Sequence, residues 1–218
     1  MANDREEIAM EVIVDQGKWG ICGFVSVLNA MYEDGKLKQF GRLLTLEQIR
    51  ERLGAEVITY LKMTSVERPG IAAEILAYTK TFGTPYSSYT SIDDICRRID
   101  AEMRVVRAPD DWANNQGGIG VAMPINALED YIKFAGLKFK RKTIGAPAFT
   151  GKELLKHINC VIGCGRDPKG PPTSDGLRHW IYVNSQGILQ NWGKKYDLKR
   201  VALPTMNYQY IPYVVELK

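Results

Sequence analysis

A cysteine, a histidine and two amide side chains are spaced in this sequence in a way that could support nucleophilic chemistry. Cys22 follows a glycine-containing loop, and Gln16 lies six residues before it. Far downstream, His179 opens an apolar run, and Asn191 follows that run. In a thiol nucleophile site the histidine takes the thiol proton, an amide orients the histidine, and a further donor stabilises the oxyanion. The sequence therefore predicts a cysteine nucleophile site with Gln16 as the oxyanion donor.

The segment after Cys22 favours a helix that begins at the cysteine. Residues 23–32 carry apolar side chains on more than one face, which is typical of a central helix, and we expect this helix to end near Gly35. A cysteine in the first turn lies beside unpaired backbone N–H groups, which favour the thiolate and lower the thiol pKa. The alternative is that Cys22 is a small buried apolar residue, as most free cysteines are. Gly20 and Gly23 favour the nucleophile, because glycines allow sharp turns and close approach of a substrate.

At these residues the sequence resembles the papain-like cysteine proteases. The family signature Gln-Gly-x-x-Gly-x-Cys matches residues 16–22 position for position, and the order Cys, His, Asn is the same. In the family an Asn-Ser-Trp-Gly turn follows the histidine strand, and residues 191–193 match that turn except for the serine. The resemblance implies a nucleophile, a base, an orienting amide and an oxyanion donor, which are, in that order, Cys22, His179, Asn191 and Gln16.

The resemblance also implies substrate contacts close to the nucleophile, at Trp19, Gly20, Gly23 and Trp192. Trp192 would in addition shield the hydrogen bond between the histidine and the orienting amide from water. Two of these positions depart from the family, since Gly23 replaces an aromatic residue and Trp19 replaces a disulfide-forming cysteine. The departures indicate a remote member, similar to the bacterial effector and toxin branches, which include proteases, glutamine deamidases and peptidoglycan amidases.

The chain contains only two histidines, so a Cys–His site must use one of them. His157 ends a predicted helix, where a cation suits the helix dipole. His179 could instead be a half-buried strand residue that is bonded to the backbone. The orienting side chain also has alternatives, since Asn184 or Asp175 could take the place of Asn191.

A second group of residues offers metal ligands. His157, Cys160, Cys164 and His179 are four possible zinc ligands at short spacings. We favour a simpler interpretation, in which Cys160 and Cys164 face one side of an apolar strand of period two. The sequence carries no phosphate-binding loop, dinucleotide motif or paired-carboxylate motif, and it predicts neither a metal nor another cofactor.

The composition of the 218 residues is typical of a globular protein, with 45% hydrophobic and 25% charged residues. The net charge of +4, from 29 basic and 25 acidic residues, is too small and too dispersed to indicate nucleic-acid binding. The dense basic run at residues 138–142 is typical of a solvated strand edge. The four cysteines, of which Cys22 must stay free, argue against a disulfide framework and favour a reducing compartment.

The N-terminal residues are polar and acidic, unlike a secretory signal. No apolar stretch approaches the ~20 residues of a membrane span. We therefore expect a cytoplasmic protein whose partner is a protein or peptide substrate; export without a cleaved signal peptide stays open.

Helical patterns fill the first half of the chain and strand patterns the second half. We predict helices at residues 45–53, 56–63, 69–82, 91–99, 126–136 and 150–157. We predict strands at residues 118–123, 137–142, 160–164, 179–183, 188–191, 199–203 and 208–216, with a hairpin turn at 184–187. This order is an α+β pattern. It suits one papain-like catalytic domain, residues 1–218, with a helical lobe of about 1–117, an antiparallel sheet lobe of about 118–218 and the site in the cleft between them.

The expected activity is hydrolysis of an amide bond by a Cys–His–Asn site through a thioester intermediate. A peptidase is the leading interpretation. A glutamine deamidase or a peptidoglycan amidase would use the same site. A binding module without catalysis is a different class, and the intact Cys22, His179 and Asn191 argue against it.

Overall fold

Helices dominate the first half of the chain and strands the second, as the patterns predict. The computed structural model describes residues 19–33, 38–39, 42–43, 46–105, 119–166 and 176–218. The helices are α1 Cys22–Glu33, α2 Leu46–Glu67, α3 Pro69–Lys80, α4 Ile92–Val105, α5 Ile125–Phe134 and α6 Gly151–Leu154, with a 3-10 turn at Tyr86–Ser88. The strands are β1 Lys38–Gln39, β2 Arg42–Leu43, β3 Phe139–Lys142, β4 Cys160–Gly165, β5 Leu177–Val183, β6 Ile188–Asn191, β7 Lys194–Asp197 and β8 Val214–Leu217.

Six of these strands form one antiparallel sheet in the order β3-β8-β4-β5-β6-β7. The predicted α+β class is therefore confirmed. The basic strand β3 lies at one edge of the sheet, where lysines discourage further pairing. Among the described helices, none combines the length and the apolar character that a membrane crossing requires.

The sheet separates two hydrophobic cores, because successive strand residues point to opposite faces. One face contributes Trp180 and Tyr182 to a core that is shared with the long helices. The other face contributes Ile181 and Val183 to a core that is closed by Leu154 of α6 and by loop residues. Helix α1 packs on the first face against β5, and its eight residues from Gly23 to Ala30 are all buried. The predicted central helix after the cysteine is confirmed, although it ends at Glu33.

Two predicted helix caps are confirmed. The Ser91 hydroxyl accepts a hydrogen bond from the Asp94 N–H at 3.1 Å, and the Thr150 hydroxyl accepts one from the Glu153 N–H at 3.2 Å. The capping box predicted at residue 126 is wrong, because α5 begins one residue earlier, after Pro124, and no side chain caps it. The fixed φ of the proline presets the chain for the helix there.

The two helices predicted at 45–53 and 56–63 are in fact one continuous helix, α2. We expected Gly54 to end the first of them. A Cβ at Gly54 would lie 2.5 Å from the Met103 sulfur, so the glycine allows α4 to approach α2 closely. Gly54 therefore has a structural role, which is a packing contact between two helices and not the end of a helix.

Two strand predictions are wrong. Residues 118–123 form no regular strand where they are described; Gly120 makes only an isolated parallel bridge with Gly20. The strand predicted at 199–203 is replaced by the earlier β7, because Asp197 turns the chain through hydrogen bonds with the N–H groups of Lys199 and Arg200. The last strand is shorter than predicted and covers only Val214–Leu217.

Candidate active site

Cys22 is the first residue of α1 and is half-buried. The turn before it is fixed by two backbone hydrogen bonds, from the Gly20 N–H to the Ile119 carbonyl at 2.8 Å and from the Val121 N–H to the Gly20 carbonyl at 2.9 Å. The first N–H groups of a helix have no earlier helical carbonyl to bond. The Cys22 N–H therefore belongs to a set of donors that could face a developing oxyanion.

Gly23 occupies a tightly packed position directly after the cysteine. A Cβ at Gly23 would lie 2.7 Å from the Met123 sulfur, so a larger side chain there would require Met123 to move. Gly23 and Trp19 are both buried, and Trp19 is 0% exposed in the first core. These two residues therefore lie inside the protein, whereas Gly20 lines a pocket beside the cysteine.

His179 lies on β5 and holds a short hydrogen bond to the amide of Asn191 at the end of β6. The distance from His179 Nε2 to Asn191 Oδ1 is 2.6 Å, and the two residues are 5% and 6% exposed. The Asn191 Nδ2 group donates to the sulfur of Met206 at 3.5 Å, which orients Oδ1 toward the ring. Because Oδ1 only accepts, Nε2 carries the proton and Nδ1 keeps the lone pair that a base needs.

Two aromatic rings pack on the imidazole. The Trp192 ring is stacked on His179 with centroids 4.7 Å apart, and the Tyr208 ring is nearly parallel to the imidazole at 5.7 Å. Trp192 is 50% exposed, so it separates the ring from solvent. Tyr208 was not anticipated from the sequence, where it belonged to a predicted strand, and no motif in its neighbourhood singles it out.

A tight hairpin turn brings Trp192 to this position. Asn191 pairs with Lys194 in the ladder between β6 and β7, so Trp192 and Gly193 form a two-residue turn. Their φ angles are +43° and +75°, as a type I′ turn requires. A positive φ is unfavourable for tryptophan, and such local strain is typical of functional sites.

Cys22 and His179 belong to α1 and β5, which pack against each other. The backbone N–H of Trp180, the residue after His179, hydrogen-bonds to the Cys22 thiol. Both side chains line the same pocket of about 130 Å³. The structure thus brings together three of the four predicted catalytic residues, and the fourth, Gln16, lies outside the described residues.

Burial governs the protonation of the pair. Burial raises the pKa of the Cys22 thiol to about 11, although hydrogen bonds from the Trp180 and Gly23 backbone oppose the change. Burial also lowers the pKa of His179 to about 4, and the hydrogen bond to Asn191 opposes it. Desolvation thus opposes the thiolate expected from the helix N-terminus and favours a neutral thiol and a neutral imidazole.

The other thiols differ from Cys22 in access more than in acidity. Burial raises the pKa of Cys96 and of Cys160 to about 11, and it raises that of Cys164 as well. All three are buried, and all four cysteines are free of disulfides. Cys22 alone among them has an accessible surface in a pocket that also holds a histidine.

The described residues that the sequence offers as alternatives do not form a site of their own. The Asn184 Oδ1 atom accepts from the N–H groups of Gln186 and Ile188, so it closes its own hairpin turn and does not orient His179. Asp175 lies outside the described residues. Within the described ranges, no group of three or more His, Cys, Asp and Glu side chains is arranged to hold a metal ion, so the zinc alternative is not supported. Cys160 and Cys164 lie on one face of β4, as the period-two interpretation predicts.

Two cavities adjoin the site. The pocket that contains Cys22 and His179, of about 130 Å³, is mainly apolar and is also lined by Tyr78, Thr79, Phe82, Tyr86 and Met123, among others. An open groove of about 780 Å³ is lined by Trp192 and Tyr208, the two rings that pack on the imidazole. Phe82 and Arg178 line both cavities and form the wall between them.

Comparison of the chain with protein-family models, with curated proteins and with solved structures found no match.

Proposed function

We propose that this chain is a papain-like cysteine hydrolase that cleaves an amide bond of a peptide through a thioester intermediate. The observation that carries the proposal is the 2.6 Å hydrogen bond that fixes His179 with its Nδ1 lone pair free, in a pocket that also contains the Cys22 thiol. Nucleophile, base and orienting amide are the minimum that amide hydrolysis by a thiol requires.

The neutral resting pair sets the order of proton transfer. His179 Nδ1 removes the thiol proton as Sγ attacks the substrate carbonyl carbon, and the imidazolium that forms is stabilised by Asn191 Oδ1. The carbonyl oxygen becomes an oxyanion, which the Cys22 N–H and the Gln16 amide are expected to hold. When the C–N bond breaks, the imidazolium gives its proton to the leaving amine, and a thioester remains on Cys22.

Hydrolysis of the thioester uses the same groups. His179 deprotonates a water molecule, which attacks the thioester carbonyl carbon. The C–S bond then breaks, the acid product leaves, and the proton held by the imidazolium returns to the sulfur. The Trp192 ring, stacked on the imidazole, limits the access of bulk water to the hydrogen bond between His179 and Asn191.

The surroundings of the site support a peptide substrate. The mainly apolar pocket beside Cys22 could hold an apolar side chain, and the adjoining groove is open enough for an extended chain. The four unpaired cysteines support a reducing compartment such as the cytoplasm.

Incubation with a peptide library tests this proposal. Native protein should produce new peptide N-termini, detected by mass spectrometry, and Cys22→Ala should produce none. Cys96→Ala is the matched control, since it removes a buried thiol of the first core and should retain activity. Release of ammonia without new N-termini would overturn the peptidase assignment in favour of a deamidase. If the native protein produces neither new N-termini nor ammonia, the peptidase and the deamidase are both refuted, and a peptidoglycan amidase or a binding module is left.

A further inference from the structure

The open groove beside His179 carries positive charge and, among its lining residues, no carboxylate. Its lining consists of Phe82, Arg166, Arg178, Trp192, Asn207, Tyr208 and Gln209. Two of these residues, Trp192 and Tyr208, pack directly on the imidazole. A group bound in this groove therefore lies beside the two rings that cover the imidazole.

Arg178 has a fixed position in this groove. It precedes His179 on β5, it is half-buried, and its guanidinium lies over the Phe82 ring at 5.4 Å from the centroid. The aromatic contact holds the guanidinium in place without neutralising its charge. Arg178 also lines the pocket that contains Cys22, so its charge faces both cavities.

The two groove arginines differ from most arginines in the described residues. Carboxylates form ion pairs with Arg68, Arg97, Arg98, Arg104, Arg141 and Arg200. No carboxylate of a described residue forms such a pair with Arg166 or Arg178. Two arginines at the edge of a site, with no counter-ion among the described residues, are arranged to receive an external anion.

We propose that Arg166 and Arg178 bind a carboxylate of the substrate in the groove, while an apolar side chain occupies the pocket beside Cys22. This inference rests on the proposed hydrolase function and names its substrate class. A planar guanidinium can donate two parallel hydrogen bonds to a carboxylate, which selects it over a neutral amide of the same shape. The carboxylate comes either from an acidic side chain or from the C-terminus of the substrate.

Alkylation of Cys22 tests the charge of the site without requiring hydrolysis. Iodoacetate and iodoacetamide differ by a carboxylate in place of an amide, and mass mapping gives the rate of each at Cys22. The ratio of the iodoacetate rate to the iodoacetamide rate should fall by roughly 3- to 10-fold in Arg178→Gln and further in the double variant with Arg166→Gln. Arg178→Lys keeps the charge and should retain most of the ratio.

Arg104→Gln is the matched control for these variants, because Arg104 is exposed on α4 and already paired with Asp100 at 2.7 Å. Its ratio should equal that of the native protein. Arg166→Gln alters an exposed side chain, so the test does not depend on the folding of the Arg178 variants. An unchanged ratio in Arg166→Gln and in the double variant would overturn the inference, whatever the hydrolytic activity.

Matched peptides identify the source of the carboxylate. Peptides that differ only by Glu or Gln at one position, each with a free or an amidated C-terminus, should differ in kcat/KM by roughly tenfold or more. A preference for Glu assigns an acidic side chain, and a preference for the free terminus assigns the C-terminal carboxylate. Equal cleavage of all four peptides would refute carboxylate selection and leave the hydrolase intact. If none is cleaved, the proposed function is in doubt and the alkylation ratio alone decides this inference.

Discussion

The two histidines of this protein are both buried, but their neighbours hold the two imidazole rings differently. His157 follows α6 and is 8% exposed, and His179 lies on β5 and is 5% exposed. Burial lowers the pKa of both. The pKa change therefore cannot distinguish a catalytic histidine from a structural one.

Their neighbours do distinguish them. His157 Nε2 lies 3.4 Å from the Glu153 carboxylate, and no amide of the described residues fixes either of its ring nitrogens. His179 has one nitrogen fixed by Asn191 at 2.6 Å, two rings packed on it and a thiol in the same pocket. A buried histidine becomes a usable base when one nitrogen is bonded and the other is directed at a reacting group.

The sharpest test of this comparison is removal of each imidazole. His179→Ala should lower turnover by about 10²–10⁴-fold, because it removes the general base. His157→Ala should change turnover by less than about twofold, since the two sites share no partner. Peptide cleavage assays of both variants give the answer.

A double variant tests whether Cys22 and His179 act together. The turnover of Cys22→Ala with His179→Ala should be little lower than that of either single variant, and a loss equal to the product of the two single losses would contradict a single catalytic unit.

The pH dependence of stability tests the burial of His179. The pKa of His179 is about 4 in the folded state against 6.5 for the ordinary side chain, so the unfolded chain binds more protons between these values. The stabilisation is complete above pH 6.5 and is lost as the pH falls toward 4, by roughly 3 kcal/mol. Denaturant titrations at several pH values should show this loss in the native protein. In His179→Gln the loss of stability between pH 6.5 and 4 should be smaller by this amount. If the free energy of unfolding depends on pH in the same way in the variant and in the native protein, the lowered pKa of His179 is contradicted.

Removal of the orienting amide should have a smaller effect on activity. Asn191→Ala frees the imidazole to rotate, and a misplaced base typically lowers turnover by about 10²-fold. The thiol remains, so alkylation of Cys22 by iodoacetamide should be far less affected than turnover. Asn184→Ala is the control, because Asn184 bonds only its own turn and should leave turnover nearly native. Equal losses in the two variants would remove Asn191 from the site.

The smallest expected effect concerns the ring that covers the site. Trp192→Gly relieves the positive φ of +43° but exposes the hydrogen bond between His179 and Asn191 to water. We expect turnover to fall severalfold while the melting temperature stays level or rises slightly, since glycine adopts this conformation readily. Trp192→Ala retains the unfavourable φ and also loses the ring, so it should be less stable than Trp192→Gly. A lower melting temperature for Trp192→Gly than for Trp192→Ala would show that the strain is not significant.

The sequence predicted those parts of the fold that depend on local patterns. Periodicity and caps located most helices and strands, including β5 and β6, which carry His179 and Asn191. The errors arose where a residue acts on a distant neighbour. Gly54 looked like a helix end and serves the contact with Met103, and Gly120 lies in no strand because its short pairing is with Gly20, a hundred residues away.

The candidate site was predictable in its residue types but not in its electrostatics. The spacing of Cys22, His179 and Asn191 indicated a common site, and two of the three are joined by a hydrogen bond. The depth at which the site is buried is not encoded in any short motif, so the sequence suggested a thiolate where burial favours the thiol. Tyr208 escaped prediction for the same reason, since only the tertiary fold brings it to the imidazole.

The position of Trp192 over the imidazole depends on the register between β6 and β7. Asn191 ends one strand of the hairpin and Trp192 forms its tip, so a shift of one residue between β6 and β7 would change the length of the turn that carries Trp192. Such a shift would leave most of the hydrophobic core unchanged while displacing the ring that is stacked on His179. The edge of the sheet and the cover of the imidazole therefore depend on the same register.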